Sequence, residues 1–322
     1  MSVSLTSKLD RIVEENKGSI PSIERRSGLS LAEFDATYRE KRPVILTDAC
    51  NDWPARKKWT FDFFRNNYKN VAVPANIYTA AANNTTIGAL IDRILAHGRN
   101  SNVGSEAPYL QDWRFGRVLP GLLEDFEIPK YFADDWLRKN IDAFWGKLWL
   151  GADGAQTGFH RDRSFVSVWQ AQLVGRKQWY LFPPSCEEGN PSVEAGAMQG
   201  QLEPGALIYF PCGWWHRVDT LEASICLSAN FLEEKNLCDF TREICLLYMI
   251  GWLGQERLQK ADQVAWQGYA FQARGRAIDS GINPDDILGQ LPTERMPADN
   301  PERAMAAILD RWKRKSRIAA AN

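Results

Sequence analysis

The apolar positions alternate short helical stripes with strand-like runs as far as Glu233 and follow a helical pattern beyond it. Ser30 followed by Glu33 forms a capping-box pattern, and Leu31, Phe34 and Tyr38 supply the stripe behind it, so a helix follows a short N-terminal arm. Val44-Ile45-Leu46 reads as a strand, Trp53-Pro54 as a turn, and Thr60 as the cap of a helix bearing Phe61, Phe64 and Tyr68. Val71 to Tyr78 reads as a further strand, edge-like where Pro74 interrupts it. Thr86 opens a helix in which Ile87, Leu90, Ile91, Ile94 and Leu95 recur at helical spacing, and Gly98 ends it. His97, in its last turn, suits a helix C-terminus and is set apart from any metal site.

Farther along, Pro108 to Asp112 is a strand carrying Tyr109, Leu119 to Trp136 short helical turns broken at Pro120 and Pro129, and Phe144 to Leu150 extended chain. The period then becomes two. In the run Arg176 to Phe182, Lys177 shares a face with Trp179 and Leu181, while Arg176, Gln178 and Tyr180 take the other. From Ser224 to Phe231, Ser224, Cys226, Ser228 and Asn230 make a small polar face, and Ile225, Leu227, Ala229 and Phe231 an apolar one. That division suits a barrel with a polar ligand inside and other elements covering its outside. Ser185 to Gln201, rich in Gly, Pro and Glu, reads as a loop at the barrel mouth. The pattern thus divides the chain into an N-terminal arm and helix (1–40), a barrel domain (41–235) and a C-terminal helical region (236–322).

Composition changes this picture little. The 322 residues, 44% hydrophobic and 25% charged, are ordinary for a soluble chain with a sizeable core. A net charge of -1 supplies no field to draw nucleic acid or an anionic membrane. Met1 to Asn16 is charged throughout and lacks an apolar core, so no secretory leader is expected, and six cysteines without a CxxC pair suit a reducing cytoplasm. The uncharged run within Cys238 to Leu253 is about half of the ~20 residues that a membrane span requires. The apolar stripes after Glu233, including Met305, Ile308, Leu309 and Trp312, must be buried either on the barrel or in a dimer interface.

Candidate chemistry comes from few residues. His160 and Asp162 stand two apart in an extended run, so both can face one ion while Arg161 points away. His216 follows the apolar run Ile208 to Pro211 and Trp214-Trp215, and the chain has only three histidines. Two imidazoles and one carboxylate on one side of a metal are the ligand set of non-haem Fe(II) oxygenases. A His-x-Asp pair is also compatible with a solvated turn, and a histidine behind tryptophans with a hydrogen-bonded core residue. Lys177, facing inward among aromatics, calls for an anionic partner unless it snorkels to the barrel mouth.

Three segments together carry a family resemblance: Leu148 to Asp162, Gln172 to Pro184, and Glu203 to His216. They resemble the Jumonji-C and cupin-like 2-oxoglutarate oxygenases, above all the asparaginyl-hydroxylase type and the small tRNA-base hydroxylases. The likeness extends upstream through Arg42 to Leu46, Trp53-Pro54-Ala55, Trp59-Thr60 and Tyr109-Leu110-Gln111. It implies a double-stranded β-helix of the cupin, jelly-roll kind, an all-β core with N-terminal α/β elements and a C-terminal helical extension that often forms a homodimer. It also implies Fe(II) at His160, Asp162 and His216, with 2-oxoglutarate held by Lys177, Tyr109 and Thr157, and Asn230 nearby. The segment from Asp162 to Gln172 is two residues longer than in the asparaginyl-hydroxylase type, and Val168 replaces a common asparagine.

The implied reaction uses 2-oxoglutarate and O2 to hydroxylate a C–H bond of an amino-acid side chain, free or within a peptide or protein. N-methyl demethylation or RNA-base hydroxylation by the same chemistry, and a non-oxidative metal-binding cupin, are the alternatives. Lys177 with Tyr109 and Thr157 argues against the last, which needs no carboxylate clamp. No zinc-finger spacing or strongly basic tract supports a nucleic-acid substrate. Arg163 is either a surface residue or, reaching the pocket mouth, the contact to an acidic group of the substrate.

Overall fold

A computed structural model describes residues 5–73, 85–97, 107–134, 146–162, 166–187 and 191–232. The chain divides into two units, Met1–Glu233 and Glu234–Asn322, and the described residues all belong to the first. In chain order they begin with α1 (Leu5–Asn16), β1 (Arg25–Arg26), α2 (Leu31–Thr37), β2 (Val44–Leu46), α3 (Ala55–Lys58), α4 (Phe61–Tyr68) and α5 (Ile87–Ala96). There follow β3 (Tyr109–Trp113), three 3-10 turns, β4 (Gly146–Gly151), β5 (Gln156–His160), β6 (Ser167–Val174) and β7 (Lys177–Phe182). β8 (Met198–Leu202), β9 (Leu207–Phe210), β10 (Trp215–Thr220) and β11 (Ser224–Phe231) complete them.

The strands form a seven-stranded sheet, ordered β1-β2-β9-β6-β11-β4-β3, and a four-stranded sheet, ordered β5-β10-β7-β8. From β4 to β11 the chain passes back and forth between them, which is the jelly roll; β1, β2 and β3 widen the larger sheet. The alternation assigns each side chain to a face. Trp169, Ala171, Leu173, Ile225, Leu227 and Phe231 turn outward from the larger sheet and pack with Phe34, Trp53, Trp59, Phe64 and Phe132 of the N-terminal layer. Val168, Ile208 and Phe210 turn inward and meet Trp179, Leu181 and Val218 of the smaller sheet. This apolar cluster fills part of the space between the sheets.

Local signals account for the helix starts. Ser30 and Glu33 exchange both capping-box bonds, and the Thr60 and Thr86 hydroxyls accept from the Phe63 and Ala89 N–H groups. Gly175 joins β6 to β7 at φ +69°, and a Cβ there would lie 2.2 Å from the Ala223 carbonyl oxygen, so both backbone and space demand glycine.

Two expectations are corrected. The N-terminal arm is a helix: Leu9 and Val13 of α1 are fully buried and, with Leu5 and Ile12, cover Phe159, Tyr180 and Phe182 on the outer face of the smaller sheet. Their spacing is helical, but the charges between them mask the stripe. The segment Ser185 to Gln201 is not all loop, because its end belongs to β8, whose Met-Gln-Gly-Gln-Leu sequence lacks alternation and is held by pairing with β7. Of the strand expected at Val71 to Tyr78, the described part makes one bridge, Ala72 to Thr86. Gly98, Arg163, the remainder of that strand, and the segments where C-terminal helices and a dimer interface are expected lie outside the described residues.

Candidate metal and co-substrate site

Cross-strand register brings the two histidines together. β5 and β10 pair antiparallel with His160 directly opposite His216, and the ring centroids are 4.1 Å apart. Asp162 follows β5 with its Oδ1 3.8 Å from His160 Nε2, and ligand atoms of all three residues lie within 4.8 Å of one another. Each imidazole is oriented by a backbone carbonyl on its Nδ1: Gly158 O at 2.9 Å for His160 and Trp214 O at 3.2 Å for His216. Nδ1–H therefore donates to the carbonyl and Nε2 keeps its lone pair for a metal. Burial and the adjacent His160 push the His216 imidazole down to about 4, so it is neutral at neutral pH, as a ligand must be.

A β-bulge makes this possible. Thr157 and His160 are three apart and would face opposite sides of a regular strand. Here Thr157 pairs with Val218 and His160 with His216, so three steps on β5 match two on β10, and both side chains turn inward. The extra residue lies at Gly158–Phe159. Its carbonyl side orients His160, and the Phe159 ring is turned out against Phe182.

Deeper in the chamber, Lys177 is completely buried, and its Nζ donates to the Tyr109 hydroxyl at 2.7 Å. Burial opposes the charge on this ammonium, but Cys226 and Tyr109 outweigh it and raise its pKa. The Lys177 Nζ also lies 5.9 Å from the Trp149 ring, and Trp149 Nε1 donates to the Ser228 hydroxyl at 2.7 Å. Asn230 shares the Ser228 face, opposite Val168. Around these residues Gln170 Nε2, Trp179 Nε1, Thr220 Oγ1 and Ser224 Oγ are buried without a hydrogen-bond partner among the described residues. Such atoms are costly to leave unpaired. A buried cation with open donors suits a dicarboxylate, and two imidazoles with a carboxylate suit Fe(II), so the residues present fit both groups.

The structure thus brings His160, Asp162 and His216 into one cluster, joins Tyr109 to Lys177, and sets Thr157 and Asn230 on inward faces. Arg161 lies over the Trp215 ring at 5.8 Å, as an outward residue should. Sequence reasoning overlooked Gln170 and Thr220 as lining residues, whereas Ser224 and Trp179 stand on the inward faces that alternation assigns them, the Trp179 ring 6.0 Å from the His216 ring at 27°. Alternation along β6 would have placed Gln170 and Gln172 on one inward face. Nothing in the sequence marks the bulge.

A family model described as a cupin-like domain matches residues 30–189. The chain is 29% identical over 248 residues to the lysine-specific demethylase JMJ21 of Arabidopsis thaliana, covering 67% of this chain and 26% of that protein. It is 26% identical to the arginine-specific demethylase JMJ22 of Arabidopsis thaliana, covering 67% of this chain and 47% of that protein. With the human 2-oxoglutarate and iron-dependent oxygenase JMJD4 it shares 28% identity, covering 72% of this chain and 67% of that protein. The chain therefore spans well under two thirds of the first two.

Proposed function

We propose, for a chain that belongs to the JmjC-type cupin-like oxygenases, that it is an Fe(II)- and 2-oxoglutarate-dependent hydroxylase of an amino-acid side chain within a peptide or protein. The observation that carries this reading is the fully buried Lys177, bonded to Tyr109 and surrounded by unpaired donors, in the same chamber as the His160, Asp162 and His216 cluster. A cupin without oxidative chemistry has no use for such a carboxylate clamp. Bound iron, with 2-oxoglutarate and O2, supplies the oxidant, and decarboxylation to succinate and CO2 accompanies transfer of one oxygen atom to the substrate.

The chain's own residues supply position and exclusion of water. Lys177 and Tyr109 would hold a carboxylate of the co-acid in the chamber shared with the His160, Asp162 and His216 cluster. Asp162 balances part of the metal's charge, and the two carbonyl-bound imidazoles fix the ligand face. Trp179 and Phe210 pack beside the His216 ring and keep that side of the metal dry.

N-demethylation is the second reading, favoured by the names of two relatives, which are demethylases of lysine and arginine. Both reactions begin with the same C–H hydroxylation and part only in whether the product sheds formaldehyde. Anaerobic titration with Fe(II) and 2-oxoglutarate tests the site, and screening peptides for succinate release with a mass gain of one oxygen tests the activity. Formaldehyde with loss of a methyl group would select the second reading; absence of iron-dependent 2-oxoglutarate binding would end both.

A further inference from the structure

The outer face of the smaller sheet carries a charged network that the proposed reaction leaves without a role. Arg217 lies between the inward residues His216 and Val218 and faces the bulge in β5 from across the strand pair. Its guanidinium is nearly buried, with 9% side-chain exposure. Its Nε and Nη2 donate to Asp219 Oδ1 and Oδ2 at 2.9 and 3.0 Å, a bidentate pair. Asp219 Oδ1 also accepts from Gln156 Nε2 at 2.7 Å, which carries the network across to β5. The remaining Nη1 reaches α1, donating to Asp10 Oδ1 and Glu14 Oε1, each at 3.1 Å.

The same helix seals the bulge. Phe159 packs with Leu9 and Val13 of α1 and with Tyr180 and Phe182 of β7, and the Arg217 guanidinium lies 5.6 Å from the Tyr180 ring. One strand pair therefore holds His160 and His216 on one side of the bulge and Thr157 and Gln156 on the other, with Arg217 opposite the extra residue. Slipping the bulge by one residue would turn Thr157 or His160 out of the chamber.

We infer that Arg217 is a positioning residue which, with Asp219 and the α1 carboxylates Asp10 and Glu14, holds the β5 bulge in the register that presents the metal ligand His160 and the co-substrate contact Thr157 to one chamber. The inference rests on the reading of the chamber as an Fe(II) and 2-oxoglutarate site. Arg217 touches neither group. It acts through the bulge, so its loss must weaken metal and co-acid together, whereas loss of Lys177 weakens the co-acid alone.

The test uses the full chain and the variants Arg217→Met, Arg217→Lys and Asp10→Asn/Glu14→Gln, the last changing only half-exposed carboxylates on α1. Each is titrated anaerobically with Fe(II), then with 2-oxoglutarate on the Fe(II) form, and the visible absorption of the Co(II) form is recorded. Arg217→Met is expected to lower Fe(II) affinity by about 10–100-fold, as for loss of an outer partner of a metal ligand. It should also lower 2-oxoglutarate affinity and alter the Co(II) bands. The double variant should move all three readouts the same way by a smaller factor, and Arg217→Lys should recover part of the loss. Should Arg217→Met fail to fold, the double variant decides. Affinities within about twofold of the parent and an unchanged Co(II) spectrum in the folded variants would overturn the inference. A parent that takes up neither Fe(II) nor 2-oxoglutarate would instead remove the reading beneath it, a result distinguishable from the first.

Discussion

The outer face of the larger sheet and the chamber between the sheets treat their polar atoms differently. On the outer face, among the aromatics of the N-terminal layer, polar atoms find partners: Trp59 Nε1 donates to Asp125 Oδ2 at 2.7 Å, the Tyr131 hydroxyl donates to the Leu29 carbonyl at 2.6 Å, and the Tyr209 hydroxyl accepts from the Glu40 N–H at 2.9 Å. In the chamber, Gln170, Ser224, Thr220 and Trp179 bury polar atoms that have no partner among the described residues. An unpaired buried group costs about 1–3 kcal/mol, so the chamber works against stability while the outer cluster supplies it. Natural sequences accept such local conflict where function requires it. The comparison separates residues that hold the fold from residues that serve the chemistry, and substitutions on the two faces should divide the same way.

The largest effect belongs to the chamber. His160→Ala should abolish measurable Fe(II) binding in anaerobic titration, because a three-ligand face with one member missing loses both affinity and geometry. His160 is partly exposed at the chamber edge, so the melting temperature without metal should hardly move. Stoichiometric iron and full turnover in this variant would remove the metal assignment. Phe132→Ala probes the opposite face. This ring is 1% exposed, stacks on Trp169 at 8° and 5.9 Å, and meets Phe231 at 5.0 Å. Denaturant unfolding should show a loss of about 3–5 kcal/mol, while the folded fraction keeps the parental Fe(II) affinity. A matching fall in metal affinity would mean that the faces are not separable.

The outer face was the more legible of the two. Its residues repeat at the strand period, as in Ile225, Leu227, Ala229 and Phe231, or at the helical period behind the Thr60 and Thr86 caps, and burial follows period directly. The proposed metal ligands were legible for a local reason, since His160 and Asp162 need only an extended chain between them. Register was not legible. That His216 lies opposite His160, and that Thr157 reaches the same chamber despite an odd spacing, depends on a bulge opposite Arg217 which no residue type at Gly158 or Phe159 announces. Helix α1 escaped because Lys8, Asp10, Arg11 and Glu14 separate its apolar positions, and two of those charges, Asp10 and Glu14, are turned to Arg217 of a strand far along the chain.

Lys177→Met sharpens the comparison within the chamber. Removing one partner of a buried charge pair costs about 2–5 kcal/mol of binding, so 2-oxoglutarate affinity should fall by that amount in titration while Fe(II) affinity stays near the parent's. Arg176 cannot substitute, because its guanidinium is engaged outside the barrel by Glu222 at 2.7 Å. In the absence of co-acid the variant should be at least as stable as the parent, since burying an ammonium costs more than burying a thioether. Unchanged 2-oxoglutarate affinity would assign the carboxylate to another cation.

The smallest expected effect is the most discriminating. Thr220 lies opposite Lys177 on the pair of β10 with β7, is 3% exposed, and its Oγ1 is one of the atoms without a partner among the described residues. Thr220→Val keeps the shape and the β-branched rotamer preference and exchanges only the hydroxyl for a methyl. If that hydroxyl serves a ligand and not the fold, the variant without co-acid should gain about 1 kcal/mol of stability in denaturant unfolding, because the unpaired group is gone. With saturating Fe(II) and 2-oxoglutarate the advantage should shrink or reverse, because the parent then regains a hydrogen bond that the variant cannot make. The stability difference between variant and parent therefore has to narrow or change sign when the co-acid is added. A variant less stable than its parent under both conditions would show that Thr220 bonds within the protein after all, and that the chamber's open polar atoms belong to the fold.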